Sequence, residues 1–250
     1  MRKSSETNGA VKTKLSSSSN HSSNGLKEML LEDVSNNKNG SERSNGSEKK
    51  NGCSSITDEG PAVSLLVQQL EPLFREVLIK LGQDVNSDDM RETPLRHAKA
   101  LVELCLPASS NFKFTVFDNG IKYKEMILVR DIPYYSTCPH HLLQISGTAT
   151  VAYIPDKKYA GLSKIPRTVT YCSRGMKTQE QITMDIANFI WKELSPIGIA
   201  VIVDGKHACM QCRGTRMEGV STETYSYLGV FDTDYNRRFE FLNRINNNSK

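Results

Sequence analysis

Cysteine and histidine gather at two distant places in the chain, and both spacings suit a metal ion. In "STCPHHLLQISG", Ser136–Gly147, Cys138 and His141 stand in a C-x-x-H arrangement with His140 between them. At that spacing a short turn brings a thiolate and an imidazole to one ion. Far downstream, "KHACMQCRG" places His207 two residues before Cys209, and Cys212 three residues after it. If this stretch lies on a strand, the two-residue period puts His207 and Cys209 on one face. A lone histidine is more often a core residue satisfied by hydrogen bonds. A second cysteine and histidine shift the balance toward metal.

The number of ligands separates two chemistries. A structural zinc site closes with four protein ligands, whereas a catalytic one keeps three and leaves a position for water. Cys138, His141 and Cys209 make three, with His140 and His207 left to move protons near neutral pH. Cys212 keeps a second reading alive, because Cys209 and Cys212 form a C-x-x-C that can donate both sulfurs to a closed site. A redox pair is a third reading, but the βαβ setting of thioredoxin-like motifs is missing.

Two more clusters bear on the choice. In "GLSKIPRTV", Lys164 and Arg167 are three apart at an expected helix start, with Ser163 as candidate cap. Backbone N–H groups and two cations there suit a phosphate, against the plain alternative of a solvated helix end. Arg213 adds a third cation just after the second cysteine motif. "TQEQIT" puts Gln179 and Glu180 at the start of a helix, where Glu180 serves either as a cap or as an acceptor for adjacent donors, such as N1–H and the N2 amino group of guanine.

These residues need a scaffold to hold them. Leu66, Leu70, Phe74, Val77 and Leu81 recur at helical spacing, with Pro72 expected to kink the helix or mark a new start. "RETPLRHAKALVELC" predicts a helix capped by Thr93 with Pro94 at its first position. Its buried face would be Ala98, Leu101, Val102 and Cys105, with Arg96 and Lys99 on another side. "EMILVRDIPYY", "GTATVAYIP", "IGIAVIVDGKHACMQCRG" and "TETYSYLGVF" read as strands. "QEQITMDIANFIWKEL" reads as a helix burying Ile182, Ile186, Phe189, Ile190 and Leu194. Helices first, then strands and helices without βαβ alternation, predict an α+β fold with a mainly antiparallel sheet and helices on one face.

Composition divides the 250 residues unevenly. Residues 1–60 are Ser, Asn, Lys, Glu and Gly with one short apolar patch, Met29–Val34, and are expected to be a disordered tail. Residues 61–250 are expected to form one folded domain. The tail lacks the apolar core of a signal peptide, and its acidic residues argue against a transit peptide. No run is long enough to span a membrane. A net charge of +4, spread among acids, points to neither nucleic acid nor a membrane surface. The six cysteines (Cys53, Cys105, Cys138, Cys172, Cys209 and Cys212) show no secreted disulfide spacing, so the chain is expected in the cytoplasm.

Read in order, "STCPHHLLQISGTATVAYIPDKKYAGLSKIPRTV", "QEQIT", "HACMQCRG" and "YLGVFDTDYNRRFEFL" closely resemble the GTP cyclohydrolase I family. The likeness runs from "TPLRHAKAL" to about Ile245 without large gaps. It implies the tunnelling fold (T-fold), whose sheets join into rings that stack as a homodecamer, a dimer of pentamers. It implies a zinc enzyme, Zn2+ being held by Cys138, His141 and Cys209, that hydrolyses GTP to 7,8-dihydroneopterin triphosphate and formate. This is the first step toward tetrahydrofolate and tetrahydrobiopterin.

By the same resemblance His140 and His207 match the catalytic histidines, and Ser163 matches a serine of the later ribose rearrangement. Gln179 and Glu180 match the guanine-recognition pair. Lys164, Arg167 and Arg213 match triphosphate contacts, and Arg96 and Lys99 would reach a neighbouring subunit's site. Allosteric control by a regulatory protein is a further family expectation. This chain departs from the family at Pro139, where glutamate is usual, at Gly175, where arginine is usual, and at the added Cys212. Pro139 and Gly175 motivate an alternative: a catalytically weakened ring partner.

Overall fold

The computed structural model describes residues 61–108 and 112–246. The expected tail, Met29–Val34 included, lies outside the described residues. In chain order the elements begin with helices α1 (Pro61–Lys80) and α2 (Thr93–Cys105). Strands β1 (Val116–Asp118), β2 (Ile127–Thr137), β3 (Gln144–Ile154) and β4 (Lys158–Ala160) follow. Helices α3 (Lys164–Ser173) and α4 (Gln179–Leu194) precede β5 (Gly198–His207), the short α5 (Ala208–Gln211) and β6 (Thr222–Gly229). Helices α6 (Val230–Thr233) and α7 (Tyr235–Asn246) come last.

Four strands hydrogen-bond in the order β2–β3–β5–β6, each neighbour antiparallel, while β1 and β4 pair separately. The two-residue period sorts the side chains onto two faces. Val151 and Tyr153 of β3 and Ile199, Val201 and Val203 of β5 enter the main core. There they meet Ile165 and Val169 of α3 and Ile182, Ile186 and Ile190 of α4. The intervening Ala152, Ile154, Ala200 and Ile202 face the other way and pack with Phe231 and Phe241. The α+β expectation therefore holds, with α3 and α4 on one face. The C-terminal helix α7 supplies Phe241 to the opposite face.

Local expectations fare unevenly at the helical N-terminus. Helix α1 runs through Pro72, so that proline starts no new helix. Only Val67 of α1 is buried, and Val77 and Leu81 of the expected face are exposed. Helix α2 begins with Thr93 as its first residue, capped from Glu92 without a side-chain bond, so Thr93 is not the cap. Ala98 and Val102 are buried as expected, and Leu101 and Cys105 half-buried. Among the described residues, no helix is long and apolar enough to cross a membrane.

Candidate metal and catalytic site

One register brings the two halves of the cysteine–histidine pattern together. In the β3–β5 ladder Ile145 pairs with His207, so the turn before β3 lies beside the exit of β5. That turn is closed at both ends: the Cys138 N–H donates to the Leu143 carbonyl at 2.8 Å, and the Leu142 N–H to the Cys138 carbonyl at 2.9 Å. Leu142 takes a left-handed φ of 54° to close it. The single helical turn puts His141 one turn on from Cys138, as the C-x-x-H spacing requires. Pro139 falls where neither closing bond calls on its N–H. Its fixed φ stiffens the turn at no hydrogen-bond cost.

The other half departs from expectation. Strand β5 stops at His207, and Cys209 sits on the helical turn of α5, so the two residues do not share a strand face. The bend swings Cys209 toward Cys138, with the two sulfurs 4.0 Å apart although 71 residues separate them. His141 Nδ1 lies 3.9 Å and His140 Nδ1 3.8 Å from the Cys138 sulfur. One donor atom each from Cys138, His141 and Cys209 falls within 4.8 Å of the others, a group able to hold a metal ion. Cys212 is outside this group; it is exposed, and its thiol donates to the Ala208 carbonyl at 3.0 Å. The geometry thus favours the three-donor arrangement over the closed four-sulfur-and-nitrogen alternative.

Burial and the neighbouring Cys138 push the Cys209 thiol up, while Arg213 pulls it down. Two thiols this close oppose each other's ionisation, and a cation between them would remove that opposition. Burial lowers the His207 imidazole, because desolvation disfavours its charged form, and the Glu180 carboxylate works partly against this.

Helix α4 is aimed at the site by the end of β2. Thr137 bridges to Met176, and the Ser136 hydroxyl donates to the Gly175 carbonyl at 3.2 Å. Gly175 is buried with φ 93°, a conformation that would strain an arginine, which accounts for the residue found there. Three residues on, Thr178 and Gln181 form a reciprocal capping box. Glu180 is therefore not the cap, and its exposed carboxylate stands in the first turn. Gln179 is buried, and its Oε1 lies 2.7 Å from His207 Nε2. The Thr222 carbonyl and the Thr224 hydroxyl surround that side chain, and the Thr183 hydroxyl donates to the Gln179 main-chain carbonyl; residue type alone singled out none of the three.

Of the expected phosphate cations, Arg213 lies close enough to Cys209 to act on its thiol. Ser163 stands at the N-cap of α3 but makes no side-chain cap bond. Lys164 is half-buried and Arg167 exposed on the same helix. Arg96 pairs with Glu92 at 2.6 Å on α2, and Lys99 is exposed nearby. Among the described residues no hydrogen bond or ion pair joins these five to the metal group.

The profile of the GTP cyclohydrolase I family matches residues 70–246. The chain belongs to that family. A GTP cyclohydrolase 1 of Lactiplantibacillus plantarum is 41% identical over 183 residues, covering 71% of this chain and 95% of that protein. One of Hydrogenobaculum is 42% identical, covering 66% and 90%. One of Leptospira biflexa is 41% identical, covering 72% of this chain and all of its own length. The matched span contains every side chain of the site above and all four strands of the main sheet.

Proposed function

We propose that the chain hydrolyses GTP to 7,8-dihydroneopterin triphosphate and formate in the cytoplasm, with Zn2+ held by Cys138, His141 and Cys209. The observation that carries this reading is the three-donor group, with His140 beside Cys138 and His207 two residues before Cys209 at the end of β5. Two sulfurs and one imidazole nitrogen form a borderline-soft donor set without carboxylates, which suits zinc. A tetrahedral zinc with bonds of about 2.3 Å would hold two sulfurs about 3.8 Å apart, and the pair stands at 4.0 Å. Zinc, when bound, supplies a Lewis acid and an acidified water.

The remaining work belongs to the chain's own side chains. In this reading His140, exposed beside Cys138, protonates the imidazole ring of the base as its C8–N bonds break. C8 leaves as formate with oxygen taken from water. His207 moves protons as the ring opens, and Ser163 serves the later ribose rearrangement. The Glu180 carboxylate accepts from the guanine N1–H and N2 amino group. Lys164, Arg167 and Arg213 hold the triphosphate, with Arg96 and Lys99 contributing from a neighbouring copy.

The assembly we assign is a decamer of two pentamers, built through the outer strands β2 and β6, with residues 61–250 as the catalytic unit and 1–60 as a tail. Allosteric control by a regulatory protein is part of the same reading. Purified protein given GTP and zinc should release formate and, after oxidation, a fluorescent pterin. No turnover by fully metallated, assembled protein would refute the enzyme reading and leave an inactive ring partner in its place.

A further inference from the structure

Gln179 is built into the site quite differently from its neighbour Glu180. Its side chain is 2% exposed, and all its polar atoms are engaged. Nε2 lies 2.9 Å from the Val203 carbonyl oxygen and 2.6 Å from that of Thr222. A carbonyl oxygen can only accept, so these two take both amide hydrogens. The Thr224 hydroxyl is a third neighbour, at 3.3 Å. Oε1 therefore faces the other way and can itself only accept. Opposite it, at 2.7 Å, is Nε2 of His207. A hydrogen bond between those two atoms requires the proton to sit on the imidazole nitrogen.

We infer that Gln179 is a positioning residue for His207, holding the neutral imidazole as its Nε2–H tautomer and leaving Nδ1 as the nitrogen free to exchange a proton. The Gln179 amide is then not available to read guanine, and that task falls to the Glu180 carboxylate. The hydrogen bond at one ring nitrogen decides the state of the other. A misassigned tautomer disables a catalytic imidazole even where its geometry survives.

The surroundings keep the amide from turning over. A flip would set Oε1 against two carbonyl oxygens and leave a buried pair of donors facing His207. The slot is also shaped to the amide. Gly205 has no Cβ where the Gln179 Oε1 and the Tyr134 hydroxyl lie, and an added Cβ would meet both. Behind it the Thr183 hydroxyl donates to the Gln179 carbonyl at 2.8 Å and lies 2.6 Å from the Thr224 hydroxyl. Backbone and side chain of Gln179 are thus both tied down.

The role in proton transfer rests on the proposed GTP reaction, but the tautomer does not, and the test separates the two. In wild-type protein carrying 15N-labelled histidine, long-range proton–nitrogen spectra distinguish protonated from bare ring nitrogens, with His207 assigned by its loss in His207→Asn. Nε2 should read as protonated and Nδ1 as bare. The reverse pattern would overturn the inference, and this measurement needs no folded Gln179 variant. In the full assembly, Gln179→Met should lower kcat about 100-fold, the lower end of general acid–base contributions, with metal content and directly measured GTP affinity unchanged. Glu180→Ala should do the opposite, weakening GTP binding. A Gln179→Met protein that loses GTP affinity but keeps kcat would return Gln179 to guanine recognition and overturn the inference. If wild-type protein gives the expected spectra but no pterin, the proposed reaction fails and the tautomer assignment stands.

Discussion

Gly205→Ala tests the site through a single methyl group. Gly205 is buried on β5 and pairs across the ladder with Gly147, two positions from the Ile145–His207 pair. A Cβ at Gly205 would meet the Gln179 Oε1, and it would lie 2.5 Å from the Tyr134 hydroxyl and 3.0 Å from the Gln179 amide carbon. Restoring ordinary contact requires those groups to retreat by about 1 Å. Such a shift stretches the 2.7 Å bond between Gln179 and His207 beyond hydrogen-bonding range. Overpacking a tight site costs about 1–3 kcal/mol, and the lost hydrogen bond about 1 kcal/mol more. A total near 3 kcal/mol corresponds to a Tm drop of about 10 °C for a domain of this size. Melting at fixed protein and zinc concentration should show that drop, and kcat should fall at least about tenfold, because His207 loses its orienting acceptor. Wild-type melting with wild-type kcat would refute the packing described around Gly205. A lower Tm with unchanged kcat would show that His207 works independently of Gln179.

Three further outcomes are expected. Cys212→Ala should keep bound zinc at its wild-type stoichiometry, whereas Cys209→Ala should lose tight zinc, as read by metal analysis after dialysis; loss of zinc in Cys212→Ala would make it a ligand. Thr178→Ala removes the capping box that starts α4, and should cost about 1 kcal/mol, or about 3 °C in Tm. Burial pushes the Cys172 thiol up to about 12 from 9.0, with Asp185 adding to the rise and Lys177 opposing it. The folded chain therefore keeps a proton that the unfolded chain sheds, so this stabilisation is complete below pH 9.0 and is lost as the pH rises toward 12. Replacing Cys172 with alanine should flatten that alkaline decline in denaturant titrations; an unchanged slope would remove Cys172 as its source.

Much of the architecture was legible in the residue pattern, because hydrophobic period depends on local chain geometry. The α4 face of Ile182, Ile186, Ile190 and Leu194 and the four strands of the main sheet appear where that period places them. The helix starts were less legible. Thr93, Thr178 and Glu180 are all chemically fit to cap, and only the backbone path decides that Thr178 does so while Glu180 stays exposed. Pro72 allowed a kink or a new start, and the continuous α1 removes the second, because a proline can lie within a helix when packing on either side holds the backbone.

The sequence by itself singled out the residues to which the chemistry is assigned. Cys138, His141 and Cys209 were identifiable as candidate ligands because few other side chains donate sulfur or imidazole nitrogen, and motif order carried the family likeness. Tertiary structure alone decided how those residues are used. Whether Cys212 joins the metal group depends on where α5 turns, and that turn sends its thiol to the Ala208 carbonyl. Whether Gln179 reads a base or orients a histidine depends on carbonyl oxygens from β5 and the start of β6, 24 and 43 residues away in the chain. Donor and acceptor capacity is written in residue type; which partner takes it up is settled only when distant backbone segments are brought within about 3 Å.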